Sequence, residues 1–461
     1  MDTIIRINDA VNDIIWGVPI IILILGTGLF LTFKLNFVQF RHIGFLFKKT
    51  LGEAFDKDSE DKGPGDVTSF QAAMMAVSAI VGSGNIAGVA TALVAGGPGA
   101  LFWMVVAAVV GMSTKFAEIA LGVHYRRTNP DGTVTGGPMY FIEDGLGKRW
   151  LGIIYAVLSI FVALAISAVV DTNTMVSVLS ENFNVPVLPA GIVIVILTAI
   201  VIFGGFSRIG RVSEILAPFM GGAYILAGIV AIIININLLP QAIAEIIKGA
   251  FNPSAITGGA IGSVFIAMRY GMARGMFSNE AGLGTGAMVH SGAKVDHPIE
   301  QAVWGPIEVF LDTIVVCSIS AIVIVLSGLW STGEYEGANL TIAAFNSIIP
   351  GGGYIALSAV ILFGFSCLIT FYTYVERSVE FISGTNKHNT AVRVLWLFAV
   401  LFGALSHESF VWDLADTFNG FMIIPNLIAV LLLHKVVIEL KDEYYREQLP
   451  IYKENKKNKS V

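Results

Sequence analysis

From Val67 to Thr114 the chain reads VTSFQAAMMAVSAIVGSGNIAGVATALVAGGPGALFWMVVAAVVGMST, 48 residues without a charge. A bilayer-spanning helix needs about 20 mostly apolar residues, so this stretch holds two. The turn-forming Gly96-Gly97-Pro98-Gly99 divides it. The first half carries Gly82-Ser83-Gly84-Asn85 at its centre. Each glycine weakens a helix by about 1 kcal/mol relative to alanine. Backbone freed from a helix inside a bilayer must line a cavity or be capped by protein. A broken membrane helix is therefore expected here. The same residues allow a plainer reading, since Gly84 and Gly88 form a small-xxx-small pair suited to close helix packing.

The rest of the chain fits a membrane protein. Of 461 residues, 55% are apolar and only 13% charged, and the net charge is −6. That composition excludes disorder and a basic nucleic-acid binder. So few charges cannot cover so much apolar chain in water, which argues against an ordinary soluble enzyme. Cys317 and Cys367 both lie in apolar runs and give no disulfide framework.

Eleven spans are expected. Span 1 lies between Asp13 and Lys34, too long for a signal-peptide core and without a basic leader. Spans 2 and 3 share the opening stretch. Span 4 starts at Leu151 and passes Asp171. Span 5 covers Val187 to Phe206, span 6 Ile215 to Ile234, and span 7 begins near Ala255 and ends irregularly beyond Arg269. Span 8 covers Pro306 to Leu329, span 9 Gly352 to Val375, span 10 Val392 to Phe410, and span 11 Thr417 to His434. Loop charge supports the alternation. Twenty-four of the 28 Lys and Arg fall on one side, and only Arg6 and Lys248 on the other. Cytoplasmic loops are the Lys/Arg-rich ones, so the N-terminus is expected outside and the C-terminus in the cytoplasm. Phe37 to Phe55 is amphipathic and basic and is expected at the membrane interface.

Span 7 is interrupted like span 2. Arg269, Arg274, Ser278, Asn279 and Glu280 sit among glycines 271, 275, 282, 284 and 286. The two interrupted spans each open a block of five. An odd-numbered block, repeated, points the opposite way across the bilayer, and paired broken helices in inverted halves mark a transporter's midplane site. The expected organisation is one all-α transporter domain over residues 1–438: an extra helix and amphipathic segment (1–66), a first repeat (67–235) and a second, inverted repeat (236–438). A charged tail follows at 439–461.

Chemistry narrows the reading. There is no Walker A sequence, no transition-metal spacing among the seven histidines and no nucleophile elbow. No catalytic residue and no cofactor are expected. A half-helix N-terminus binds anions through free N–H groups, and the preceding half-helix end offers carbonyls to a cation. Asp171, mid-to-late in span 4, must face the interior, either as partner to an ammonium, Na+ or H+, or as a hydrogen-bonded structural acid. Glu308 and Asp312 share a face at i, i+4 and are expected to pair with Arg269 or Arg274. Lys115 and Glu118 are expected to form a local ion pair, and Trp103 and Phe371 to serve packing.

At this point the chain resembles the alanine/glycine:cation symporters. The resemblance rests on Gly82-Ser83-Gly84-Asn85-Ile86-Ala87-Gly88-Val89-Ala90-Thr91, on Gly96-Gly97-Pro98-Gly99-Ala100, and on Gly136-Gly137-Pro138-Met139-Tyr140-Phe141. Arg274-Gly275 with Phe277-Ser278-Asn279-Glu280-Ala281-Gly282-Leu283-Gly284 completes it. It implies a LeuT-type fold and uptake of a small neutral amino acid, of alanine or glycine type, coupled to Na+ or H+ at the cell membrane. The amides of Ser83 and Gly84 would hold the substrate carboxylate, beside Gly82 and Asn85. Carbonyls of Ser78 and Val81, with Ser366 and its neighbour Cys367, would hold Na+. An unwound stretch of span 7, at Gly275, Met276, Phe277 and Ser278, would close over the substrate. Three positions depart from the family pattern: Asp171 where Gln is common, Cys367 where Thr is expected, and Thr370 where Gly is expected. The rivals are a channel-like facilitator and a membrane-embedded enzyme.

Overall fold

The computed structural model describes residues 8, 10–12, 14–41, 43–52, 63–251, 260–406 and 408–458. The one sheet among them is a short antiparallel hairpin, β1 (Arg127–Thr128) with β2 (Val134–Thr135). Everything else of regular structure is helical.

The opening stretch folds as its glycines require. Helix α2 (Ser69–Ile80) follows α1 (Val18–Lys34) and starts from a reciprocal cap: Gln71 N donates to Thr68 Oγ1 and Thr68 N to Gln71 Oε1. It stops before Gly82. A single tight turn, Ser83–Asn85, leads into α3 (Ala87–Gly96), and the two halves meet at 53°. Helix α4 (Gly99–His124) then runs back, and the amphipathic α5 (Pro138–Leu146) precedes α6 (Arg149–Phe183). Helix α6 contains a π-helical segment, Leu164–Asp171. The first half ends with α7 (Val187–Ile202) and α8 (Gly205–Ile234). Helix α8 begins ten residues before the expected start of span 6, because Gly205 takes a φ of +71° and turns the chain early.

The second half contains α9 (Leu239–Phe251), α10 (Ala260–Asn279), the short α11 (Thr285–His290) and α12 (Pro298–Ser327). Helix α12 has a π segment of its own, Phe310–Cys317. Then come α13 (Gly337–Ile348), α14 (Gly352–Ser383), α15 (Asn389–Leu405), α16 (Glu408–Leu432) and the tail helix α17 (His434–Asn458). Helices α9 and α13 lie in stretches read as loops from the sequence. The expected start of span 7 near Ala255, and residues 53–55 of the amphipathic segment, lie outside the described residues.

Six helical stretches are long and apolar enough to cross a membrane: α4, α6, α8, α12, α14 and Ala415–Leu432 within α16. The bent pair α2–α3 qualifies as a seventh, and α1, α7 and α15 are shorter apolar helices. The distribution of polarity matches that reading. Ile192, Val193, Ile196, Leu197 and Ile200 of α7 lie on the outside, whereas Lys115, Glu118, Asp171, Glu280, Glu308 and Asp312 are all buried. An apolar exterior around an ionisable interior is what a lipid-facing helical bundle requires.

Candidate functional site

The first break is built around Asn85. Its Oδ1 accepts from Gly82 N at 2.9 Å, which holds the turn. Its Nδ2 donates to Asp312 Oδ1 at 2.6 Å and lies 3.3 Å from Cys317 Sγ. On the other side Ser83 Oγ donates to Asp171 Oδ1, and the Ser83 amide faces the same carboxylate. Two intramembrane aspartates from two π segments therefore grip adjacent parts of one break. Asp171 is 1% exposed; the Cys367 thiol and Ser167 hydroxyl face its carboxylate, and its Oδ2 makes no full hydrogen bond among the described residues. The backbone N–H of Gly84 likewise finds no backbone or side-chain acceptor there.

Gly84 must be small. A Cβ placed on it would lie 3.1 Å from Phe277 Cδ1 and 3.6 Å from Ser278 Cα, so α10 packs directly across the break. Ser278 Oγ also donates to Asp312, at 2.9 Å. Phe277 and Ser278 thus join Gly84, Asn85 and Asp312. Gly275 and Met276 do not: Gly275 packs on Met104, and the Met276 methyl reaches Gly282.

The carbonyl end of α2 meets α14. Ser366 Oγ lies 3.3 Å from Ser78 O, and Cys367 Sγ donates to Ala79 O at 3.2 Å. These are orphan carbonyls of a helix C-terminus, satisfied by side chains of a neighbouring helix. The proposed ion ligands Ser78 and Ser366 are therefore adjacent. Thr370 turns its hydroxyl back onto Ser366 O of its own helix at 3.0 Å.

The second break lies elsewhere than expected. Helix α10 is continuous through Asn279, so Gly275 to Ser278 are helical, and the chain unwinds at Glu280–Gly284. The glycines at 271 and 275 serve packing on α4: a Cβ on Gly271 would sit 2.3 Å from Ala100 O. Glu280 takes a φ of +55°, Gly282 +110° and Gly284 +79°, which is where the helical path ends. Long side chains occupy the freed carbonyls. Lys115 Nζ donates to Asn279 O at 3.3 Å, Asn426 Nδ2 to Gly282 O at 2.8 Å, and Tyr155 OH to Leu283 O at 2.6 Å. Glu280 Oε2 accepts from Thr285 Oγ1 and Tyr374 OH.

The expected ion pairs are accordingly redrawn. Arg274 binds Asp416 through both Nη atoms, at 2.9 and 2.8 Å. Glu308 lies 2.8 Å from His290 Nε2, and Asp312 takes hydroxyl and amide donors. Lys115 and Glu118 each turn to the second break, Glu118 through Asn426 at 2.6 Å. The π segment explains the misreading of Asp312. A π turn spaces partners at i, i+5, so Asp312 and Cys317, not Glu308 and Asp312, face Asn85 and Ser278 together. Cys317 was missed for the same reason; nothing in α-helical spacing marks it.

A cavity of about 1100 Å³ opens at the end of α3, walled by α6 and α13. Thr174 lines it, one turn beyond Asp171 on α6. Glu181, Glu334 and Glu336 stand around it, with no Lys, Arg or His among its lining residues.

Known proteins share this chain from end to end. The protein of Methanococcus maripaludis described as sodium/alanine symporter AgcS is 42% identical, over 95% of this chain and 96% of its own. The amino-acid carrier protein AlsT of Bacillus subtilis is 38% identical, over 96% and 93%. Among solved structures, the Eremococcus coleocola manganese transporter aligns with a TM-score of 0.50, covering 83% of this chain and 82% of that one. At 15% identity that likeness is one of fold alone. The pattern of the sodium:alanine symporter family matches residues 1–460. A cation-coupled amino-acid carrier rather than an enzyme, this chain belongs to the sodium:alanine symporter family.

Proposed function

We propose that the protein is a secondary active symporter that takes up a small neutral amino acid, of alanine or glycine type, driven by Na+ through alternating access. The observation that carries this reading is the first break. It places Gly84 N–H, which finds no acceptor among the described residues, one residue from the serine that holds the buried Asp171 carboxylate, whose Oδ2 makes no full hydrogen bond among those residues. An α-amino acid needs both: an N–H group at a half-helix N-terminus for its carboxylate, and an acceptor for its ammonium. Asp171 already contacts Ser83, so substrate binding shifts its carboxylate toward the ammonium and frees the serine amide. Ser78 O, Val81 O and Ser366 Oγ supply hard oxygen ligands to Na+, and Cys367 contributes a poor one.

In this reading the chain crosses the bilayer eleven times, with the N-terminus outside, one extra helix and two inverted blocks of five. The wide cavity faces outward, with Thr174 in its wall one turn from Asp171. Reconstituted protein tests the proposal. With an inward Na+ gradient and no alanine gradient, alanine should accumulate above its external concentration, and the accumulation should collapse when the Na+ gradient is dissipated. Equilibration without accumulation is the result expected of a channel and would reject the symporter.

A further inference from the structure

The interior around the second break holds more acid than base. Lys115 and Glu118 come from α4, Glu280 from the break, and Glu308 and Asp312 from α12; all are at most 2% exposed. His290 is the other basic group, and it ends a polar chain. Trp304 Nε1 donates to Ser69 Oγ, and Ser69 Oγ donates to Gln301 Oε1. The amide nitrogen of Gln301 therefore faces His290 Nδ1, at 2.7 Å. On its other side His290 Nε2 lies 2.8 Å from Glu308. Two basic groups, Lys115 and His290, face four buried carboxylates. Buried charge without a partner costs several kcal/mol per ion, far more than a buried neutral carboxyl.

The four acids differ in what holds them, and among the described residues Glu308 has only the His290 ring beside it, at 2.8 Å. Asp312 accepts from Asn85, Ser278 and Thr313. Glu280 accepts two hydroxyls and faces Lys115. Glu118 accepts from Asn426 Nδ2 on Oε1 and faces the Gly282 N–H of the break, while its buried Oε2 makes no full hydrogen bond among the described residues. The groups that face it are Lys115 on its own helix, Glu280 in the break, Tyr155 on α6 and Asn426 on α16. Beyond these, Glu308 faces Glu280 and Asp312 faces Lys115.

We propose that Glu118 is a proton-binding site that controls the second break, separate from the ion and substrate positions of the first. Asn426 links the two events, because the same Nδ2 holds Glu118 Oε1 and Gly282 O. With the proton on, Lys115 balances Glu280 and the break stays clasped. Loss of the proton to water puts a second carboxylate beside Glu280 and loosens the clasp.

Infrared spectroscopy of the full chain in lipid nanodiscs tests this without any substrate, so it can fail while the transport assignment stands. The wild type should show the carbonyl stretch of a protonated carboxylic acid at neutral pH that bleaches as pH rises. Glu118→Gln should lack that component, and Glu118→Asp should keep it at a shifted frequency. In proteoliposomes Glu118→Gln should lose the alkaline limb of the pH–uptake profile. Identical protonated-carboxyl bands in wild type and Glu118→Gln at every pH would overturn the proposal. So would the absence of any such band in the wild type, a result that needs no variant to fold.

Discussion

The two broken helices differ in what fills them. At the first, the freed carbonyls of Ser78 and Ala79 meet the short side chains of Ser366 and Cys367, and among the described residues one amide finds no acceptor and the acid beside it has an oxygen without a full hydrogen bond. At the second, carbonyls are taken by Lys115, Asn426 and Tyr155, reaching in from three different helices. Short hydroxyl and thiol groups can turn aside for a ligand. A lysine, an amide and a phenol anchored on separate helices brace the turn. In the proposed reading, this difference separates a break that receives a ligand from one that holds the bundle together, although both are rich in glycine.

Several substitutions would break or sharpen that contrast. Gly84→Val is expected to do most. A Cβ there would sit 3.1 Å from Phe277, and a branched side chain would also cover the amide. Alanine uptake should vanish while the protein still reaches the membrane, as judged by surface labelling. Lys115→Met should act on the second break and on stability. Removing one partner of a buried charge arrangement costs about 3–5 kcal/mol, so thermal unfolding in detergent should shift down sharply, more than for Gly84→Ala. Asp171→Asn removes a charge-assisted interaction of about 1.5–3 kcal/mol. Alanine affinity should fall by roughly tenfold to a hundredfold, with melting temperature little changed; an unaltered affinity and ion dependence would make Asp171 a structural acid. Cys367→Thr is the smallest step. It exchanges a thiol for a hard oxygen donor and should lower the Na+ concentration for half-maximal uptake by a few-fold.

Much of the contrast could be read from the chain, and its gaps have physical causes. The membrane class, the first break and most helix positions follow from charge-free runs and from Gly82-Ser83-Gly84-Asn85, because the cost of exposed backbone in lipid is local. The location of the second break does not. Glycines at 271 and 275 look as helix-weakening as those at 282 and 284, and only the tertiary fit on Ala100 and Met104 shows that the first pair serves packing. The partners of the buried acids were also out of reach. Arg274 finds Asp416, 142 residues away, and the π segments rotate Asp312 off the face that α-helical spacing assigns to it. The role of Lys115 at Asn279 is likewise a contact between distant segments that no local pattern signals.

The most direct measurement of the central claim is equilibrium binding of radiolabelled alanine to purified protein, with and without Na+. Wild type should bind alanine only when Na+ is present. Gly84→Val, which fills the first break, should abolish binding, whereas Tyr155→Phe, which removes one brace of the second, should leave the alanine affinity within a few-fold of wild type. Full binding by Gly84→Val, or loss of binding in a well-folded Tyr155→Phe, would contradict the assignment of the ligand site to the first break.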